Sequence, residues 1–181
     1  MRKKITILLA GFALGGSLSA AKYPVVGGKE MYPTKNIIQN AVNSADHTTL
    51  VAAVKAGGLV KTLEGKGPFT VFAPTNEAFE KLPPGTVDTL LKPENKAKLV
   101  KILTYHVVPG KLSAATLMAD IKKGNGQATL KTVAGETLTA TQNGDTISLK
   151  DESGDTANVT IANVNQSNGV IHVIDGVLLP K

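Results

Sequence analysis

The side chains able to do chemistry in this 181-residue chain are few and far apart. Its histidines, His47, His106 and His172, stand 59 and 66 positions from one another, a spacing that suggests no metal site. With no cysteine there is no thiolate nucleophile, no thiolate metal ligand, no disulfide and no lipidated cysteine anchor. G-x-S-x-G, H-E-x-x-H and a glycine-rich phosphate loop are all missing from the sequence. A protein that is not an enzyme and carries no cofactor is therefore expected.

The remaining polar positions each have a simple reading. Asp151-Glu152-Ser153-Gly154-Asp155 gathers hard oxygen ligands but lacks the twelve-residue alternation and terminal Glu of a calcium loop, and reads as a solvated hairpin tip. His47, in the first turn of a predicted helix, reads as a solvated side chain. His172 lies inside the apolar run Val170 to Ile174, where a donor or acceptor left unpaired costs roughly 1–3 kcal/mol. It reads as a satisfied structural histidine, and Asp175 before Gly176 as a turn-former accepting backbone N–H bonds. Tyr105-His106, followed by the apolar Val107 and Val108, is the candidate interaction motif. The alternative for the same residues is a hydrogen-bonded tie at a helix-to-strand junction.

The elements that position these residues follow from hydrophobic spacing and turn chemistry. Thr34 caps a predicted helix with Ile37, Ile38, Ala41 and Val42 on one face. Asp46 caps a second with Leu50, Ala53 and Val54 inward, ended by Gly57-Gly58 at a left-handed C-cap. Leu59, Val60 and Leu63 add a helical turn. A strand between Pro68 and Pro74 runs into a helix capped by Thr75, with Phe79 and Leu82 inward. Thr86 to Leu91 forms a further turn, and Pro93 opens a longer helix carrying Leu99, Ile102 and Leu103 into Tyr105-His106. Leu112 to Ile121 is ambiguous between strand and helical turn, and Lys122 to Gly126 reads as loop. Strands then follow at Ala128–Val133, Thr137–Gln142, Asp145–Lys150 and Ala157–Val164, with a type I′ hairpin expected at Asn143-Gly144. Asn168 to Pro180 reads as a strand covered on both faces, a tight turn at Asp175-Gly176, and a second strand. Helices first and antiparallel strands later make an α+β domain.

Residues 1–21 carry Arg2-Lys3-Lys4, an apolar run from Ile5 to Leu14 and small residues ending at Ala21, the pattern of a cleaved signal peptide. The run is shorter than the roughly 20 residues a spanning helix needs. A secreted or periplasmic protein follows, with no membrane span in the mature chain. Residues 22–33, with two prolines and a glycine pair, read as a flexible leader without an element of its own, able to dock through Tyr23, Met31 or Tyr32. Residues 34–181 form the domain. Three of the twenty basic residues lie in the signal segment, leaving seventeen against fourteen acidic ones. That balance, spread-out lysines, few aromatics and a lone arginine at Arg2 argue against nucleic acid.

Two blocks, Thr70-Val71-Phe72-Ala73-Pro74-Thr75-Asn76-Glu77-Ala78-Phe79 and Gly169-Val170-Ile171-His172-Val173-Ile174-Asp175, with Tyr105-His106 between them, resemble the two conserved segments and the tyrosine-histidine motif of the fasciclin domain. The resemblance implies N-terminal helices packed on a wedge of two β-sheets, and adhesion to a protein or polysaccharide at a cell surface or matrix. It also implies a part in adhesion for Tyr105, His106 and their neighbours Val107 and Val108. Animal relatives carry an Asp-Ile pair where this chain has Asn163-Val164, so receptor binding of the animal kind is not implied. An alternative use of a tyrosine and an imidazole is a small-ligand or haem carrier.

Overall fold

The structure is a computed structural model that describes residues 22–181. The predicted signal segment lies outside the described residues. Residues 22–33, expected to hold no element, instead form a hairpin of β1 (Val25–Val26) and β2 (Lys29–Glu30), because Val26 and Met31 can be buried from it. Asn36, not Thr34, caps α1 (Ile37–Ala41): its side chain accepts the Gln39 N–H while Gln39 reaches back to the Asn36 N–H. That shift turns Asn40 inward and leaves Val42 about half exposed.

A short 3-10 turn over Ala45–His47 leads into α2 (Thr48–Gly57), which Gly58 ends with φ +73°. Then follow α3 (Val60–Leu63), β3 (Phe69–Pro74), α4 (Asn76–Glu80), α5 (Thr86–Leu90), a 3-10 turn opened by Pro93, and α6 (Lys96–Tyr105). Thr75 caps α4 by accepting the Ala78 N–H. After β4 (Val107–Pro109), the ambiguous segment is helical: Ser113 caps α7 (Ala114–Lys123), whose Leu117 and Ile121 are buried. The remaining elements are β5 (Gln127–Lys131), β6 (Thr137–Asn143), β7 (Thr146–Lys150), β8 (Thr156–Gln166) and β9 (Gly169–Ile174).

The seven long-range strands run β4-β3-β9-β8-β7-β6-β5, with β3 and β9 parallel and the other pairs antiparallel. The ladder is two sheets joined by β8, which pairs with β7 through Thr156 to Asn158 and with β9 from Val159 onward. Two register shifts and Asn163 at φ +59° bend β8 between those roles, as bulges do. This is the expected wedge. The β6–β7 turn differs from expectation: Asn143 pairs with Thr146, so Gly144-Asp145 are the central residues. Gly144 at φ +61° alone takes a positive φ there, as in a type II′ turn. The second apolar run of the C-terminal stretch, Val177 to Leu179, is likewise not a strand.

Parallel β3 and β9 are buried almost throughout and divide the interior in two. Alternate residues of one strand point to opposite faces. Val71 and Ala73 accordingly join the helices on one side, while Phe72 enters the space between the sheets. Gly169 permits the two strands to meet, since a Cβ there would stand 1.9 Å from the Phe69 carbonyl oxygen.

Candidate functional site

The Tyr105-His106 junction forms because α6 stops at Tyr105 and the chain turns directly into the edge strand β4. His106 is the C-cap, and its carbonyl accepts the Phe72 N–H at 2.9 Å, while the Val107 carbonyl accepts the Val133 N–H at 2.8 Å. Tyr105 and Val108 point between the sheets, and Val107 points to the helix side. Tyr105, His106, Val107 and Val108 are thus brought together and all four are buried.

Their polar atoms are fully engaged. The Tyr105 hydroxyl donates to the Thr137 carbonyl at 2.8 Å and accepts the Glu152 N–H at 3.3 Å. His106 donates from Nδ1 to the Ile102 carbonyl at 2.8 Å and accepts the Leu178 N–H on Nε2 at 3.0 Å. Those partners fix the neutral Nδ1–H tautomer. Burial pushes the imidazole down to about 4, against the opposing pull of the Ile102 carbonyl and Asp151, and pushes the phenol up to about 12. Both His106 nitrogens are taken by backbone partners and the Tyr105 oxygen is buried between two more, so the haem alternative has no support in this geometry.

Asp151 completes the junction and is the one residue of 151–155 that departs from the solvated-tip reading, since residues 152–155 are exposed in the turn between β7 and β8. It is buried, with Oδ1 accepting the Ser153 and Asp155 N–H groups and Oδ2 the Leu179 N–H, each at 2.9 Å. His106 and Asp151 therefore anchor adjacent residues of the strandless C-terminal run.

The other two histidines converge on the same strand. His47, read from sequence as solvated, is buried; Ser44 donates from its hydroxyl to Nδ1 at 2.9 Å, and Nε2 faces the Ala73 carbonyl at 3.4 Å. His172 donates from Nε2 to the Leu112 carbonyl at 2.7 Å, accepts the Asn163 N–H at 3.3 Å, and stacks on Phe72. Burial lowers the pKa of both. Three histidines remote in sequence thus surround Phe72 and Ala73 as neutral struts, each bonded to a backbone carbonyl. No cluster of three metal-ligating side chains occurs among the described residues.

Two buried asparagines belong with them, and sequence reasoning passed over both. Asn168 accepts the Ile37 N–H and donates to the Leu63 and Gly65 carbonyls, joining α1, α3 and β9. Asn40 bonds both backbone groups of Tyr32 and the Gln166 side chain. Asn40 sits one position off the apolar face of α1, and Asn168 precedes a glycine, which signalled only a turn.

Fold and site together define a helix-covered β-wedge whose signature polar residues face inward. The fasciclin domain model matches residues 45–180, and the chain belongs to that family. It is 47% identical over 181 residues to Protein sll1483 of Synechocystis sp., covering 95% of this chain and 92% of that one. It is 37% identical over 145 residues to Immunogenic protein MPB70 of Mycobacterium bovis, covering 77% and 66% respectively. A FAS1 domain pair from the insect cell adhesion molecule fasciclin I shares the fold with a TM-score of 0.71 at 18% identity, over 80% of this chain and 51% of that one.

Proposed function

We propose that this protein is an exported, non-catalytic adhesion module that binds a protein or polysaccharide at a cell surface or matrix. The observation that carries the reading is the inward commitment of Tyr105, His106, Asp151 and the two other histidines. Every polar side-chain atom of these groups is bonded within the domain, so the family motif holds the scaffold and recognition falls to the outer surface. Membership of a family associated with adhesion supports the class of function. The signal-like segment 1–21 supports export to the periplasm or beyond. One domain offers a single standard patch of roughly 800 Å², and tight attachment then follows from multivalency.

The test is capture of native envelope or matrix material on the immobilised chain, with a surface-scrambled variant as control. Enrichment over the control is expected, and equal capture by both overturns the reading. Tyr105→Phe separates the roles of the motif. Unchanged capture per folded molecule is expected, whereas lost capture by a folded Tyr105→Phe chain makes the tyrosine part of the binding surface.

A further inference from the structure

Beneath the N-terminal hairpin the helix-side core encloses a cavity of about 40 Å³. Val26 and Met31 of the hairpin, Ile38 of α1, Leu50 and Val54 of α2, and Val173 of β9 contribute to its wall. Ser44 and His47 also reach it, but their hydroxyl and Nδ1 are spent on each other. Water needs polar partners to occupy such a space, and apolar cavities of about 150 Å³ stay dry and bind benzene or xenon. This one is dry by the same reasoning and too small for a ring. A slender saturated group fits it.

The hairpin sets the size of the space. Val26 and Met31 are buried and form part of its wall, so lifting the hairpin extends the cavity by the volume of both side chains. The unbranched Met31 side chain already marks a channel that an alkyl chain would follow. The hairpin is lightly held: β1 and β2 pair with each other and not with the main sheet. Its tip is tied by the Ala45 N–H to the Gly27 carbonyl at 3.3 Å, and its base by the Asn40 amide to Tyr32. Gly27, at φ +58°, lets the tip approach, since a Cβ there would stand 2.5 Å from both Ala45 N and Ser44 Oγ.

We infer that this cavity is a binding site for the end of an unbranched alkyl chain, and that residues 22–33 are its door. The site is separate from the adhesion reading, which requires only the outer surface. It is tested with the purified chain and the fluorescent probe N-dodecyl dansylamide, whose dansyl ring sits at the head and leaves the methyl end of the alkyl chain free. A saturable rise with one-to-one stoichiometry is expected, displaced by dodecanoic acid and not by butyric acid. Val54→Ile adds one methylene to the wall and should weaken the probe at least tenfold without lowering the unfolding midpoint. Gly27→Val pushes the tip away and should speed probe association at least fivefold. Absence of saturable binding, or affinity that Val54→Ile leaves unchanged, overturns the site. A Gly27→Val chain that dimerises with no gain in probe rate assigns the seat to a second copy's hairpin and overturns the alkyl ligand. Where Gly27→Val does not fold, the Val54→Ile result decides alone.

Discussion

The two cores on either side of β3 and β9 are closed by different means. On the helix side, apolar residues of α1, α2 and α6 meet Val71 and Val173, and Val26 and Met31 from a short hairpin are buried with them. On the wedge side, Phe72, Leu138, Leu149 and Ile174 are shut in by α7 and by segments with no regular structure, the 151–155 turn and the C-terminal run. Such segments lack a ladder to pair their backbone groups, and a buried N–H or C=O left unpaired costs free energy. Tyr105, His106 and Asp151 supply the partners instead. Apolar side chains cover one core, with Asn40 tying the base of the hairpin, whereas hydrogen bonds from Tyr105, His106 and Asp151 pin the irregular segments over the other, so the two should fail differently.

The sharpest way to break this comparison is His106→Ala. It leaves the Leu178 N–H and Ile102 carbonyl unpaired and opens a void, at a cost of about 3–5 kcal/mol in urea unfolding at neutral pH. A cost below about 1 kcal/mol would mean that the pin is dispensable.

Acid should act through the same group. Because burial holds His106 down to about 4, the unfolded chain takes up the proton first as pH falls. The contribution is fully present above the ordinary value of about 6.5 and is lost progressively down to about pH 4, a difference of about 3 kcal/mol. His47 and His172, also lowered, act in the same direction. Unfolding midpoints at pH 7 and pH 4.5 should therefore differ less in His106→Gln than in the unchanged chain.

A smaller effect is expected of Tyr105→Phe, which keeps the ring and loses two hydrogen bonds, about 1–2 kcal/mol. Its signature is alkaline. With the folded phenol raised to about 12, stability is full below pH 10 and falls as pH rises from about 10 to about 12. That limb should weaken in the phenylalanine variant.

The gentlest test leaves the sequence intact. The Met31 N–H donates to Pro24 within the hairpin, while the Phe72 N–H donates to His106 at the pinned junction. In native-state hydrogen exchange the Met31 amide should exchange through local opening and the Phe72 amide only near global unfolding. Equal protection would join the hairpin to the main cooperative unit and remove the contrast.

Much of the scaffold was legible before any coordinates. Thr75 as a cap, Gly58 as a helix stop, Pro93 at a helix start and the stripe Leu99, Ile102, Leu103 are local signals, set by backbone geometry and a 3.6-residue period. The α+β order was legible for the same reason, whereas the two signature blocks were legible only through their resemblance to the fasciclin domain. Less legible were the residues whose environment depends on distant segments. His47 looked solvated because nothing within a few positions shows that Ala73 lies against its ring. Asp151 looked like part of an exposed tip because its partner Leu179 is 28 residues away. The hairpin at 22–33 went unread because two-residue strands have no detectable period and owe their order to Val26 and Met31 reaching the core.

The chain's own order of residues determined most of the helices and strands, that no thiol chemistry is present, and that Tyr105 and His106 fall at a helix-to-strand junction. Tertiary structure alone decided which way those residues face. Rotation about a helix end places neighbouring side chains on different sides, and only the arrival of β6, the 151–155 turn and the C-terminal run shows which side is interior. It also decided that three histidines, 59 and 66 positions apart in the chain, meet around Phe72 and Ala73. A buried imidazole needs one donor and one acceptor partner, and long-range packing determines which groups supply them.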